Sequence, residues 1–393
     1  MQIGIAAPVL LEKLDLSGSG SLPIVDSFPI TGILANKLLL KGHQVDIFCL
    51  SPNITSPKVY AFGQLTIHVC PRRTKWASYN FYRSERLHLL DAINSSNCDL
   101  IHAHWSYEYA AAVLDSNKRA LITAHDSPLV ILRYFIPTRA ALFWIFRVAL
   151  GISVLTKAKN LTAVSAYLKE SLLKTLPIRV PIQVVQNGIG DEVLEVGSRR
   201  IAAGLQKKSP VFVSILEGFT PRKNPKVLLK AFGMVREKYP EVQLVMFGKD
   251  YEPGGKAQTW AEINGLSQNV DFRGHALQQS IHRYMEEHAI AVVHPSLEES
   301  FGMVPLEGMA MGIPVIGGNA SGEIPNLLDK GKAGMLVDMK NPSELAAAMI
   351  KVVEGGKEID AMTANAWYRA STHYGIDKMV EGYLSAYERL LKS

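Results

Sequence analysis

Residues 294–315 read HPSLEESFGMVPLEGMAMGIPV, and this stretch decides how the second half of the chain folds. The apolar run Ala289–His294 leads into it and stops at a proline, which is typical of a buried strand. Pro305 suits the first turn of a helix, and Gly312 with Pro314 ends that helix before the next apolar run. The pattern therefore predicts a strand, a polar loop, a helix and a second strand.

The same alternation of short apolar runs and helical patterns extends along all 393 residues. Strands that are apolar throughout and separated by helices predict α/β domains with doubly wound parallel sheets. A chain of this length exceeds what one hydrophobic core of roughly 250–300 residues holds, so we expect two domains. The Asn187-Gly188 turn sets the boundary, with domains at 1–188 and 189–372, a polar linker to about residue 208, and a final helix at 373–393.

The composition is that of an ordinary globular protein, with 48% hydrophobic and 20% charged residues. Three cysteines without a CxxC pair argue against a disulfide framework or a cysteine zinc site. The first residues read as a strand and not as a signal peptide, so we expect a cytoplasmic protein. The basic residues concentrate in the first half of the chain, and a basic face attracts anions or remains solvated.

The most apolar run, Ala140–Leu155, is shorter than the roughly 20 residues of a membrane-spanning helix. Two interpretations stay open: a core helix, or a helix in peripheral contact with an anionic membrane surface. Under the second, the cations in and around the run face the lipid, and we expect Arg139 and Arg147 to contribute to membrane binding.

The helix after Ser300-Phe301-Gly302-Met303 begins with free backbone N–H groups, and these groups and the helix dipole attract an anion. Gly302 lets the backbone approach an oxygen closely. Two carboxylates bracket this anion site, Glu299 before the helix and Glu307 within it. Carboxylates accept hydrogen bonds from sugar hydroxyls, so the arrangement suits a sugar diphosphate.

The two glutamates in this setting resemble the E-x7-E motif of the retaining glycosyltransferases of family 4. Asn187-Gly188-Ile189, Phe247-Gly248 and Val270–Gly274 also match motifs of that family in the expected order. The resemblance spans most of the chain. It implies the GT-B fold, in which two Rossmann-like doubly wound parallel-sheet domains face each other across a cleft.

The resemblance also implies residue roles in the second domain. Glu299 accepts hydrogen bonds from hydroxyls of the donor sugar, and Glu307 accepts them from the ribose. Lys223 is the family's cationic clamp on the diphosphate, with Arg222 beside it in place of an arginine that the family carries at the position of Gly218. Arg273 falls near the base. The backbone amides expected to hold the diphosphate are those of Phe301, Gly302, Met303 and Val304.

In the first domain, His125 in Thr123-Ala124-His125-Asp126 resembles the family histidine that faces the donor sugar and the acceptor. His104 ends the preceding strand and is a candidate acceptor contact. Gly18 and Gly20 resemble the family's glycine loop near the acceptor. We expect His125, Lys223 and Glu299 to be the catalytic residues.

These motifs predict a retaining hexosyltransferase that moves a sugar from a nucleotide diphosphate sugar to a saccharide or lipid-linked saccharide, in polysaccharide or glycolipid synthesis. Donor frequency favours UDP-glucose. No Asp-x-Asp pair occurs, so we expect no metal, and no cofactor beyond the donor substrate. Nucleic-acid binding explains none of the motifs. The alternatives are a catalytically silent GT-B scaffold protein, a sugar-nucleotide 2-epimerase, and a phosphorylase, which would need a pyridoxal lysine.

Overall fold

The computed structural model describes residues 1–11, 14, 22–26, 28–136, 138, 140–204 and 210–392. These residues form two compact units, Met1–Asn187 with Asp377–Ser393, and Gly188–Ile376. Each unit is built on one twisted sheet, as the alternating pattern predicts.

The first unit contains an eight-stranded sheet in the order β3-β4-β2-β1-β5-β6-β7-β8. All neighbours pair in parallel except β3 with β4. The strands are β1 (Gln2–Ala6), β2 (Gln44–Ser51), β3 (Lys58–Phe62), β4 (Leu65–Pro71), β5 (Leu100–His104), β6 (Arg119–Ala124), β7 (Leu161–Ala163) and β8 (Ile182–Val184). The helices between them are α1 (Pro29–Leu40), α2 (Arg83–Asn94), α3 (Glu108–Asp115), α4 (Pro128–Leu132), α5 (Ala141–Lys157) and α6 (Ala166–Thr175).

The second unit contains a six-stranded parallel sheet in the order β11-β10-β9-β12-β13-β14. Its strands are β9 (Val211–Ile215), β10 (Gln243–Phe247), β11 (Val270–Gly274), β12 (Ala289–Val293), β13 (Val315–Gly318) and β14 (Met335–Val337). Its helices are α7 (Asp191–Ala202), α8 (Pro225–Lys238), α9 (Lys256–Ile263), α10 (Gln278–His288), α11 (Met303–Ala310), α12 (Ile324–Leu327), α13 (Pro342–Glu354) and α14 (Lys357–His373). The strand order reverses between β9 and β12, so a crevice forms at the carboxyl ends of these two strands.

The last helix, α15 (Ile376–Lys392), packs in the first unit although it follows the second unit in sequence. Its buried face carries Tyr383 and Tyr387, which contact His104 and His102 of β5. The first unit is therefore made from both ends of the chain.

The expected polar linker is wrong for Asp191–Ala202, because these residues form helix α7, which packs in the second unit. Gly197 lies against the end of α11, where an added Cβ would come within 2.1 Å of the Ala310 carbonyl oxygen. The indole nitrogen of Trp367 donates to the carbonyl oxygen of Leu194 in α7, and the Trp367 ring also lies beside Gly197. The glycine that reads as a linker residue is thus the residue that permits close helix packing.

Helix α5 occupies the most apolar run of the sequence and is only half buried. Its inner face carries Val148, Val154 and Leu155, whereas Leu142 and Ile145 near its start are exposed. Among the described residues, no helix combines the length and the hydropathy that crossing a membrane requires.

Candidate functional site

Lys223 and Glu299 form a buried ion pair at the carboxyl ends of two neighbouring strands. Lys223 lies in the turn between β9 and α8, and Glu299 lies in the loop after β12. The Lys223 Nζ is 2.5 Å from the Glu299 Oε1, and the same oxygen is 3.0 Å from the His294 Nε2. The structure therefore brings together two of the three predicted catalytic side chains at the crevice where strand order reverses.

The charges in this cluster favour an ionised Glu299. Burial would raise the pKa of Glu299, but the attraction of Lys223, with His294 and Arg222, outweighs it and holds this pKa well below the usual range. For Lys223 burial is the stronger influence, so its pKa is lowered despite the neighbouring carboxylate. Burial likewise lowers the pKa of His294. A carboxylate in this state only accepts hydrogen bonds, as a ligand of sugar hydroxyls must.

Arg222 lies next to this pair and contributes to its electrostatics. One of its terminal nitrogens donates to the Glu298 carbonyl oxygen at 3.3 Å, and its own carbonyl accepts from the Leu297 amide at 2.8 Å. Gly218, in the loop after β9, has a φ of +89° and offers no cation. Arg222 is accordingly the cation nearest to Lys223 in the sequence.

The start of α11 presents unpaired amides in the same loop region. Gly302 caps the helix with a φ of +102°, a conformation that favours glycine, and its carbonyl accepts from the Leu306 amide. Among the described residues, no oxygen accepts from the amides of Phe301, Gly302, Met303 or Val304. The Phe301 ring packs edge-to-face against the Tyr374 ring, and this contact fixes the backbone at Phe301. Unpaired amides and the dipole of α11 are what the predicted anion site requires, and anion binding here stays a prediction.

Glu307 lies on α11 and meets partners that differ from those of Glu299. Its Oε1 accepts from the Gln278 Nε2 at 2.7 Å and is 3.4 Å from the His282 Nε2. Both partners belong to α10, so the carboxylate is turned toward that helix. The two glutamates thus lie in separate polar environments on either side of the anion site.

Arg273 is the last residue but one of β11, which is an edge strand of its sheet. Its Nε is 2.7 Å from the Asp271 Oδ2, and its guanidinium carbon is 4.2 Å from the centroid of the Tyr284 ring. The side chain is exposed. No neighbour in the structure tests the predicted contact with a base, so that role stays a prediction.

In the first unit, His104 and His125 are in direct contact at the ends of β5 and β6. The His104 Nδ1 is 2.9 Å from the His125 Nε2, and the ring of Trp105 stacks on His125 at 5.0 Å. His102 lies behind His104 and binds the hydroxyl oxygens of Tyr387 and Thr123 at 2.7 and 2.6 Å. We refer to His102, His104 and His125 as the histidine cluster.

Burial keeps the histidine cluster neutral. It lowers the pKa of His102 and of His125 to about 3, and that of His104 well below its usual value. Neutral imidazole has one donor and one acceptor nitrogen, so His104 and His125 share one proton along their bond. The His125 Nε2 is therefore held by His104, which fixes the ring at the end of β6.

The glycine loop and the two arginines expected at a membrane surface are not placed in the site by the structure. Gly18 and Gly20 lie outside the described residues, as does Arg139. The expectation for Arg147 is wrong, because its guanidinium lies inside the first unit. It binds the Tyr82 hydroxyl at 2.8 Å and the Glu108 carboxylate at 3.3 Å, and it stacks on Tyr107. A cation held by these groups cannot face a lipid surface.

The structure adds site residues that the sequence interpretation left out. His294 supports Glu299, Gln278 supports Glu307, and Asn224 bridges two loops by donating to the Pro295 and Met339 carbonyl oxygens. His294 carries a sequence signal, because it ends an apolar strand inside the quoted stretch. Gln278 carries none, since a polar residue at the start of an exposed helix is common.

Comparison with protein families finds one match in each half of the chain. Residues 199–368 match the family described as Glycosyl transferases group 1, and residues 32–193 match Glycosyltransferase Family 4. An uncharacterized glycosyltransferase of Methanocaldococcus jannaschii is 25% identical, over 84% of this chain and 86% of that protein. A D-inositol 3-phosphate glycosyltransferase of Corynebacterium jeikeium is 34% identical, over 42% of this chain and 39% of that protein.

Among solved structures, sucrose-phosphate synthase of Thermosynechococcus elongatus superposes with a TM-score of 0.79 at 18% identity, covering 100% of this chain and 99% of that chain. This likeness concerns the fold alone and identifies it as GT-B. The family matches, one in each half, agree with the E-x7-E stretch and with the fold. Each half of the chain is therefore similar to a family of glycosyltransferases, the first half to Glycosyltransferase Family 4 and the second to Glycosyl transferases group 1.

Proposed function

We propose that this protein is a retaining, metal-independent hexosyltransferase that takes its sugar from a nucleotide diphosphate sugar. The observation that carries the proposal is the geometry around Glu299, where an ionised carboxylate, a buried lysine and unpaired helix amides occur together. The carboxylate suits sugar hydroxyls, and the lysine and amides suit a diphosphate. A scaffold protein has no need of such a charged, buried arrangement, which is costly to desolvate.

The same residues suit the chemical step. As the bond between the anomeric carbon and the β-phosphate oxygen breaks, negative charge grows on the diphosphate, where Lys223, Arg222 and the α11 amides stabilise it. The acceptor hydroxyl attacks the anomeric carbon on the face that the diphosphate leaves, and its proton passes to a β-phosphate oxygen. Configuration is retained, and no side chain has to act as a nucleophile.

Release of nucleoside diphosphate from a panel of UDP-, GDP- and ADP-sugars tests this function and identifies the donor. We expect turnover with one base, UDP-glucose being the first to test, and equal turnover in EDTA and in Mg²⁺. A rate abolished by EDTA and restored by Mg²⁺ contradicts metal independence. Calorimetry that detects no binding of any nucleotide sugar would revive the silent scaffold, and an epimerised donor would indicate a 2-epimerase.

For the acceptor we propose a saccharide or lipid-linked saccharide, reached from an anionic membrane surface. The support is the exposed pair Leu142 and Ile145 at the start of α5, with the exposed Ile136 and Arg133 just before it. Exposed apolar side chains beside a cation suit the headgroup region of an anionic bilayer. This proposal replaces the role first given to Arg147.

Flotation with vesicles tests the membrane contact. The double change of Leu142 and Ile145 to Asp should abolish binding to anionic vesicles, because it puts charge on the apolar face. The matched change Leu173→Asp, at an exposed leucine of α6, should leave binding intact. Absence of wild-type binding to anionic vesicles would end this part of the proposal.

A further inference from the structure

One cavity of the first unit lies beside Trp105 and the Arg147 side chain. It has a volume of about 730 Å³ and is formed mainly by the loop Arg72–Tyr79, which follows β4. Pro8 after β1 and Trp105 after β5 also line it. The cavity therefore lies beyond the carboxyl ends of three parallel strands, where open α/β sheets bind ligands, and its size suits a small molecule.

Three aromatic residues that line this cavity have a strained backbone. The φ angles of Trp76, Tyr82 and Trp105 are +64°, +55° and +71°, in the left-handed region that bulky side chains rarely adopt. Trp76 is also 73% exposed, so burial of its ring does not compensate for the strain. Backbone strain of this kind concentrates at ligand sites. An exposed, strained tryptophan at a cavity mouth presents a flat face on which a sugar ring can pack.

The charges of the cavity leave an excess of positive charge. Arg72 is paired with Asp26, Arg73 with Glu85, and Arg147 with Glu108. Lys75 also lines the cavity, and within the described part of the chain it forms no ion pair. Arg72 uses one nitrogen on its partner, so further N–H donors of its guanidinium remain for a ligand.

We propose that this cavity, which we call the basic aromatic pocket, binds an acceptor saccharide that carries an acidic group, either a phosphate or a carboxylate. Trp76 packs on the sugar ring, and Lys75 with the free N–H groups of Arg72 binds the anion. The term acceptor rests on the proposed transferase function, whereas binding of an acidic sugar in this pocket does not. The acidic group sets specificity, because it gains a charge-assisted contact with Lys75 that a neutral sugar lacks.

Direct binding of three monosaccharides to the full chain, without any nucleotide, tests the proposal. The probes are glucose 6-phosphate, glucuronate and glucose, measured by calorimetry or ligand-observed NMR. We expect at least one acidic sugar to bind about tenfold more tightly than glucose, as one added charge-assisted contact predicts, and its advantage to shrink as salt is raised. The stronger acidic probe identifies the group as phosphate or carboxylate.

Two pairs of variants connect the binding to the pocket. Lys75→Gln should remove most of the preference for the acidic sugar, whereas Lys41→Gln, at an exposed lysine elsewhere in the unit, should keep it. Trp76→Asn should weaken the binding of all three sugars. Phe81→Asn is the control, because Phe81 is also an exposed aromatic residue with a left-handed φ of +54° but does not line the pocket. This change should leave the binding of the three sugars unaltered.

The thermal midpoint of Trp76→Asn separates a binding role from a structural one. Asparagine tolerates the left-handed region, so this variant should be at least as stable as the wild type. Equal affinity for acidic and neutral sugars, no binding of any probe, or an unchanged preference in Lys75→Gln would overturn the proposal. Donor turnover does not enter these measurements, so a failure of the transferase function would be seen separately in the nucleotide-sugar panel.

Discussion

Glu299 and Glu307 are close in sequence but form hydrogen bonds with different side chains. Glu299 contacts a lysine and a histidine, whereas Glu307 contacts a glutamine of α10. The spacing of the glutamates and the presence of Lys223 could be predicted from sequence motifs. The contact between Lys223 and Glu299 could not be worked out from spacing, because 76 residues separate them. It follows from the adjacency of β9 and β12 in the sheet.

Lys223→Ala should lower the turnover number for donor hydrolysis by about 100- to 1,000-fold, because it removes the buried cation that opposes charge on the departing diphosphate. Lys230→Ala, at an exposed lysine on α8, is the matched control. The thermal midpoint of both variants shows whether they are folded. A folded Lys223→Ala protein that keeps its rate within tenfold of wild type contradicts the assigned role.

The histidine cluster predicts a loss of stability in mild acid. The folded-state pKa values of His102 and His125 lie near 3, below the ordinary value of 6.5, so their neutral forms stabilise the fold. This contribution is complete above pH 6.5 and is lost as the pH falls from 6.5 toward 3. Each pH unit in that window costs on the order of 1 kcal/mol for each histidine.

Urea unfolding at pH 7.5 and 5.5 measures this effect. The wild type should lose several kcal/mol between the two, and His104→Gln should lose less, since one buried histidine of the three is gone. His373→Gln, at an exposed histidine, is the control. Equal stability of the wild type at both pH values would show that the cluster is not buried as described.

At the scale of elements, apolar runs covered by helices were readable from sequence, and exposed or tightly packed elements were not. Strand β3 escaped prediction because Lys58–Phe62 is a short, mostly exposed edge strand that pairs antiparallel. Helix α7 escaped because Gly197 and its polar neighbours resemble a linker. In both cases tertiary contacts, and not local propensity, decide the structure.

Gly197→Ala tests the packing of α7 on α11. The added methyl would overlap the Ala310 carbonyl oxygen and the Gly312 amide, so we expect the second unit to lose about 1–3 kcal/mol of unfolding free energy. Gly375→Ala is the matched control, since its nearest neighbour, the Ser371 carbonyl oxygen, is 3.6 Å away. An unchanged urea midpoint in Gly197→Ala would argue against this close contact.

At the scale of the whole molecule, two sheets of one architectural type differ in what they bring together. The second unit gathers a carboxylate, a lysine and helix amides. The first unit gathers neutral histidines and the basic aromatic pocket, and it recruits α15 from the far end of the chain. The fold and the donor motif were predictable from sequence, because runs of consecutive residues encode them. The pocket was not, because its wall comes from separate loops.

We propose that Glu299 binds the sugar and Glu307 the ribose of one bound nucleotide sugar. Calorimetry on wild type, Glu299→Gln and Glu307→Gln, with the nucleotide sugar that the panel identifies and with its nucleoside diphosphate, tests this most directly. We predict that Glu299→Gln lowers the affinity for the nucleotide sugar but not for the nucleoside diphosphate. Glu307→Gln should lower the affinity for both ligands. If Glu299→Gln lowers the affinity for both ligands equally, or leaves the affinity for the nucleotide sugar unchanged, the division of roles is contradicted.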